Sequence, residues 1–243
     1  SVTLGVIQGL TEFLPVSSSG HLVIAQSFIP SFRQQGVLFD ALLHFGTLLA
    51  VVVYFRSTLL SLDKKMLGLL FVGSVPAGIA GFFLRDYIEV LFSSTAAVGI
   101  ALLFTGVMNW MIDAKKLKTQ NSKLMKWGDA VVVGVFQAVA LVPGISRSGS
   151  TIFAGVFRGL DKKTAATFSF LLSIPAVAGA VSLEFMTYGS SGFDLVYIPG
   201  IMAAFAIGYA SIGVLMRFLV AHRFRIFAVY CFVVGFLTLL FTF

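Results

Sequence analysis

The chain has 243 residues, of which 58% are hydrophobic and only 11% charged, and its mean hydropathy is +0.99. Soluble domains carry about 25% charged residues, so the composition excludes a soluble globular protein and points to an integral membrane protein. The net charge of +7 would suit a nucleic-acid binder, but the placement of the basic residues, set out below, excludes a nucleic-acid partner.

The apolar runs are long and continuous rather than alternating, which predicts helices and not a barrel. The record begins at Ser1 and not at Met, so residues are expected to precede it, and no signal peptide is legible. Residues 2–14 form an apolar helix of roughly 20 Å at about 1.5 Å per residue, too short for about 30 Å of hydrocarbon. Pro15 and the Ser17–Gly20 cluster break it, and a second short helix over 20–29 ends at Pro30. Two half-length helices around a polar break predict a re-entrant hairpin, whose irregular backbone is tolerated at depth only under a cover of protein or water. Three spans follow over 37–55, 66–84 and 95–112, then a polar, lysine-rich stretch over 114–126. Residues 130–142 and 149–157 repeat the hairpin around the break at 143–148, and spans over 164–186, 196–219 and 226–243 complete the chain. Pro76 and Pro175 fall inside spans and are expected to kink them. Cys231 is the sole cysteine; it excludes an internal disulfide and a cysteine metal cluster and reads as a small hydrophobe.

Sliding the sequence by 129 residues aligns its halves without a gap. Gly5 meets Gly134 and Gln8 meets Gln137; Ser17, Ser19 and Gly20 meet Ser146, Ser148 and Gly149; the register holds through Phe39 with Phe168 and Leu43 with Leu172. This is an internal duplication. A hairpin returns to its own side and three spans change side, so the second copy enters from the opposite face and the halves are inverted. The expected fold is all-α: a polytopic membrane protein of six transmembrane helices and two re-entrant helical hairpins in inverted-topology repeats. The first repeat covers 1–113, a linker 114–127, and the second repeat 128–243, in one membrane domain. With that topology Arg33 and Arg85 lie on one side and Arg147 in the second break, while every other Lys and Arg falls on the opposite side. The positive-inside rule makes the rich side cytoplasmic, leaves both termini extracytoplasmic, and explains the basic residues by orientation and contact with anionic lipid.

The chemistry concentrates in the two breaks. Each precedes a short helix whose free N–H groups and dipole favour an anion. Ser17, Ser18, Ser19 and Gly20 head one, and Ser146, Arg147, Ser148 and Gly149 the other, with Thr151 a turn on. Serines there are often only N-caps, but two facing heads with an arginine make an anion cradle in which Arg147 supplies the cation and the fork of donors. The copies differ where it matters: Glu12 aligns with Leu141, Ser18 with Arg147, and His21 with Ser150. Glu12 is costly in a bilayer, and Gln8 lies one turn earlier on its face. Together they suit a divalent cation bound through oxygens, beside the overlapping reading of a Glu12–Arg147 salt bridge. His21 is placed to act as general acid or base, and Ser18 is the candidate nucleophile, with Ser17, Ser19 and water as rivals. Asp40 and His44, one turn apart, either back Glu12 or face a wet cavity, and Asp129 and Asp161 read as capping or solvated residues at helix ends.

Gln8 and Glu12 fit a Glu/Gln-x-x-x-Glu motif, and Pro143-Gly144-Ile145-Ser146-Arg147-Ser148-Gly149-Ser150-Thr151 fits Pro-Gly-x-Ser-Arg-Ser-x-x-Thr. On these two motifs the chain, from about Leu4 to its C-terminus, resembles the integral-membrane undecaprenyl-diphosphate phosphatases associated with bacitracin resistance. The resemblance implies a bacterial inner-membrane enzyme with an outward-opening site, hydrolysing a polyprenyl diphosphate to its monophosphate and so recycling the lipid carrier for cell-wall synthesis. It implies Mg²⁺ or Ca²⁺, with Glu12 and Gln8 as metal or acid–base residues, Ser18 and His21 as nucleophile and partner, and Arg147 as the phosphate clamp. Gln at position 8 counts against a mechanism that needs two carboxylates. The rival reading is an inverted-repeat transporter or flippase for a phosphorylated lipid or anion. The sequence is compatible with a homodimer.

Overall fold

In the computed structural model, the structure describes residues 1–29, 38–114, 124–188, 194–220 and 223–242; the acyclic stretch around Arg33 and most of the expected linker lie outside them. The described residues are helical, with no strand: α1 Val2–Thr11, α2 Ser18–Ser27, α3 Leu38–Tyr54, α4 Arg56–Leu60, α5 Lys64–Phe83, α6 Arg85–Phe92, α7 Thr95–Ala114, α8 Trp127–Val139, α9 Arg147–Phe157, α10 Lys162–Tyr188, α11 Ile198–Val220 and α12 Phe224–Thr242. Five helices, α5, α7, α10, α11 and α12, are long and apolar enough to cross a membrane by length and composition. The chain is therefore a multi-pass helical membrane protein. The helix expected over 37–55 is only 17 residues long, about 25 Å at 1.5 Å per residue.

Other boundaries moved for local reasons. The first helix stops at Thr11, and residues 12–16 turn, so Glu12 sits at the helix end rather than within it. The second begins at Ser18, because the Ser17 side chain accepts from the Gly20 N–H and caps it. The short helices α4 and α6 follow α3 and α5 and were not legible as separate elements. Pro76 and Pro175 lie inside the unbroken helices α5 and α10.

Helices of one half pack on helices of the other. The half-length α1 runs along α11, and its counterpart α8 runs along α5; α7 lies against α12, and α3 against α10. Glycine makes the first two contacts close. A Cβ on Gly5 would stand 2.1 Å from the Gly200 carbonyl oxygen, and one on Gly134, its partner in the duplication, 2.3 Å from that of Gly73. Neither position admits a side chain, and small residues at such crossings let backbones approach to van der Waals distance. The main apolar core gathers Phe13, Phe55, Phe170, Leu172 and Phe224 around α3, α8 and α10. Cys231 is fully buried beneath the first break, as the sequence suggested for a small hydrophobe.

Candidate active site

The two breaks meet. A Cβ on Gly20 would stand 3.0 Å from Gly144 Cα, and one on Gly149 would stand 3.3 Å from Pro15 Cβ. Gly20 and Gly149 are partners in the duplication, as are Pro15 and Gly144, so the same contact is made twice. Ser148 adds a bond across the junction, its hydroxyl donating to the Leu14 carbonyl at 3.2 Å. Each break turns differently. Ser17 takes φ +69° in the first, and Gly144 φ +95° in the second. A side chain at Gly144 would be strained by that φ and would press on the Val98 carbonyl at 2.6 Å.

One helix fixes both turns. Thr105 and Asn109 lie a turn apart on α7. The Asn109 amide donates to the Pro15 carbonyl at 2.6 Å. The Thr105 hydroxyl donates to the Gly144 carbonyl at 2.9 Å and accepts from the Ser146 N–H at 3.0 Å. Sequence reasoning missed both residues. The available signal was polar side chains in the middle of an apolar span, which are rare without a purpose.

Glu12 is the hub. Its side chain is 5% exposed and Arg147's is 17% exposed, and the two form a salt bridge between residues 135 positions apart. Arg147 spends its other arm on the Ser169 carbonyl at 3.2 Å, and the Thr151 hydroxyl bonds both the Arg147 carbonyl at 2.8 Å and the Ser169 hydroxyl at 2.6 Å. These contacts hold the guanidinium against the first break. The other Glu12 oxygen, Oε2, accepts from the Ser18 hydroxyl at 2.6 Å and from the Gln8 amide at 3.0 Å. His44 Nδ1 lies 3.1 Å from the same oxygen. His44 is thus in contact with Glu12 itself, while its neighbour Asp40 accepts from Gln26 at 2.7 Å.

Ser17 and Ser146 cap α2 and α9 through the N–H groups of Gly20 and Gly149, and each is joined to its second neighbour, Ser19 at 3.3 Å and Ser148 at 3.2 Å. His21 is turned away from Ser18. Its Nδ1 faces the Ser17 carbonyl at 2.7 Å, which can only accept, so Nδ1 carries the proton and Nε2 accepts from the Tyr230 hydroxyl at 2.7 Å. The expected pairing of Ser18 with His21 is not formed; Ser18 bonds Glu12 instead, because the Ser17 carbonyl at the head of α2 captures the imidazole one turn on. Gln137, the partner of Gln8, is buried with neither end of its amide bonded. Asp129 is fully buried, accepting from the Lys126 N–H at 3.1 Å and pairing with Arg158 at 2.7 Å; it caps α8 but is not solvated. Asp161 caps α10 through the Thr164 N–H at 2.9 Å.

The donor set suits a hard cation. Glu12 offers a carboxylate, and Gln8 Oε1 is a buried oxygen with no partner. Mg²⁺ sites commonly combine one or two protein oxygens with phosphate oxygens and water. No group of three His, Cys, Asp or Glu side chains stands ready to hold a metal among the described residues, so such an ion would depend on the amide and on substrate oxygens.

Residues 1–237 match the family model described as Bacitracin resistance protein BacA. The chain is 39% identical, over 98% of its length and 96% of the relative's, to an undecaprenyl-diphosphatase of Desulforapulum autotrophicum. It is 42% identical to one of Syntrophotalea carbinolica, over 97% of this chain and 95% of that one. Undecaprenyl-diphosphatase 4 of Bacillus cereus is 38% identical over 97% of this chain and 94% of its own. With both family motifs folded into one buried cluster around Glu12, and with matches that run nearly from end to end, the chain belongs to the BacA family.

Proposed function

We propose that the chain hydrolyses undecaprenyl diphosphate to undecaprenyl phosphate and inorganic phosphate, recycling the lipid carrier for cell-wall synthesis. The observation that carries this reading is the convergence of Ser18 and Arg147, from two separate breaks, on the two oxygens of Glu12. A hydroxyl bonded to a carboxylate is a nucleophile with its base in place. A guanidinium beside it is the fork that grips a phosphate.

In this mechanism the diphosphate takes the place of Glu12 on Arg147, and the N–H groups at the heads of α2 and α9 bind the remaining phosphate oxygens. Ser17, Ser19, Gly20, Ser146, Ser148, Gly149 and Thr151 shape that cradle. Ser18 Oγ attacks the terminal phosphorus as its proton passes to Glu12. The bond from that phosphorus to the bridging oxygen breaks, and undecaprenyl phosphate leaves. Water then attacks the phosphoserine, Glu12 takes one of its protons, and Ser18 and inorganic phosphate are restored. Arg147 stabilises the charge that gathers on the phosphoryl oxygens in both steps. A Mg²⁺ or Ca²⁺ ion held by Glu12 and Gln8 supplies further neutralisation when bound. His21, bonded to Ser17 and Tyr230, holds the turn that aims Ser18.

The membrane arrangement is part of the same proposal. Helices α1–α2 and α8–α9 are the two re-entrant hairpins, α3 is the sixth span, and the repeats over 1–113 and 128–243 are inverted about the linker at 114–127. The crossed pairing of α1 with α11 and of α8 with α5 supports this. So do the basic clusters where Lys162 meets Asp113 and Arg158 meets Asp129. The basic side faces the cytoplasm of a bacterial inner membrane, both termini lie outside, and the site opens outwards. The lipid tail lies among the apolar side chains on the membrane-facing surface.

The test is phosphate release from undecaprenyl or farnesyl diphosphate by the purified protein in detergent, with and without chelator. Ser18→Ala is expected to cost on the order of 10³-fold in kcat, the loss of a covalent nucleophile and not of one cap. Labelled diphosphate entering liposomes unchanged, with no phosphate released, would replace this reading with the transporter.

A further inference from the structure

Gln8 and Glu12 have a third side chain beside them. The Gln8 amide nitrogen lies 3.0 Å from Glu12 Oε2 and 2.9 Å from His44 Nδ1. His44 Nδ1 lies 3.1 Å from Glu12 Oε2. Three polar atoms from α1, the turn after it and α3 therefore close a triangle with nearly equal edges. Hydrogen bonding accounts for only part of it. His44 Nδ1 can accept from Gln8 or donate to Glu12, but not both at once. The far end of the Gln8 amide, Oε1, is buried without a partner.

An amide's oxygen and nitrogen ends are interchangeable in shape. Turned over, Gln8 presents Oε1 to the triangle in place of Nε2. The three corners then become a carboxylate oxygen, an amide oxygen and an imidazole nitrogen, all lone-pair donors. A cation above that face relieves their mutual repulsion. The edge length selects the ion. Neighbouring donors in an octahedron are separated by about 1.4 bond lengths, so bonds of about 2.1 Å give edges of about 3.0 Å. Ca²⁺, with bonds of about 2.4 Å, needs edges of about 3.4 Å. An imidazole corner further favours first-row divalent ions over Ca²⁺. Thr47 steadies two corners, since its hydroxyl donates to the His44 carbonyl at 2.9 Å and lies 3.4 Å from the Gln8 amide.

We propose that Glu12, Gln8 and His44 form a facial three-ligand site for a small divalent ion of the Mg²⁺ and Mn²⁺ class, and that His44 makes the site discriminate against Ca²⁺. The proposal rests on the phosphatase reading for its role, since the three open positions opposite the face would receive phosphate oxygens and water. A search for clusters of His, Cys, Asp and Glu passes over it because one corner is an amide.

The experiment uses the full chain in detergent, grown with ¹⁵N-histidine and titrated with Mn²⁺. Pulsed electron paramagnetic resonance is expected to show ¹⁵N coupling from one directly bound histidine, and a tenfold excess of Ca²⁺ is expected to leave the Mn²⁺ bound. His44→Gln should abolish the coupling and weaken Mn²⁺ binding by about 10- to 100-fold. Should that variant fail to fold, the labelled wild type decides by itself. Bound Mn²⁺ without histidine coupling, or displacement by an equal concentration of Ca²⁺, overturns the site. Phosphate release from the same preparation separates the two readings: turnover without coupling removes His44 and keeps the phosphatase, and coupling without turnover does the reverse.

Discussion

The Glu12–Arg147 pair allows stability and catalysis to be separated. Both partners are largely buried, at 5% and 17% side-chain exposure. Arg147→Ala leaves the Glu12 carboxylate without its guanidinium in a low-dielectric interior. Breaking a buried pair from one side costs about 3–5 kcal/mol, whereas replacing both partners with neutral groups of similar size is often close to neutral. Arg147→Ala should therefore lower the unfolding midpoint by on the order of 10 °C, at about 2–4 °C per kcal/mol for a chain of this size. The double variant Glu12→Gln, Arg147→Met should recover most of that loss. Turnover should follow the opposite rule. Arg147→Ala should lose at least about 10²- to 10³-fold in kcat, as for other transition-state donors, and the stable double variant should be no more active. Cys231 is fully buried and the only cysteine, so a thiol-reactive fluorophore reports unfolding, and phosphate release reports turnover. A double variant no more stable than Arg147→Ala would refute the uncompensated charge as the cause. Arg147→Ala within tenfold of wild-type kcat would refute the clamp.

Asn109→Leu removes the donor to the buried Pro15 carbonyl and should cost about 1–3 kcal/mol of stability; because that carbonyl sets the first break, kcat should fall more than KM rises, and an equal change in both would contradict a positioning role. Gly134→Ala drives a Cβ to 2.3 Å from the Gly73 carbonyl oxygen and should destabilise by at least about 1–3 kcal/mol, while Gly78→Ala, with nothing within 4 Å of the new carbon, should gain up to about 1 kcal/mol from helix propensity; equal midpoints for the two would refute the close crossing of α5 and α8. Partial burial pushes the Asp161 carboxyl up, but hydrogen bonds from Thr164 and the backbone outweigh it and leave it below the ordinary carboxylate range. A group depressed in the folded state stabilises above its unfolded value of about 3.9 and loses that contribution as pH falls through the folded value, so the midpoint of Asp161→Asn should fall less than wild type below about pH 4, and parallel curves would dismiss the cap's charge.

The residues themselves determined the membrane class, through a composition too poor in charge to dissolve, and the duplication, through one register kept from Gly5 to Leu43. They also placed the breaks, because Pro15 and the Pro143-Gly144 pair cannot continue a helix, and serine caps restart one at Ser18 and Arg147. These are local properties, decided by a few neighbouring side chains and by the length an apolar run needs to cross a bilayer. Which polar groups face each other was decided only by the tertiary structure. Glu12 meets Arg147 because two breaks far apart in sequence interlock through Gly20, Gly144, Pro15 and Gly149. Ser18 bonds Glu12 while His21 turns to Ser17 and Tyr230, and the spacing Ser18–His21 could not distinguish these outcomes. His44, Thr105 and Asn109 entered the site because α3 and α7 present one narrow face inwards. In a span where almost every side chain is apolar, periodicity gives no phase to that face; only the neighbouring helices set its rotation.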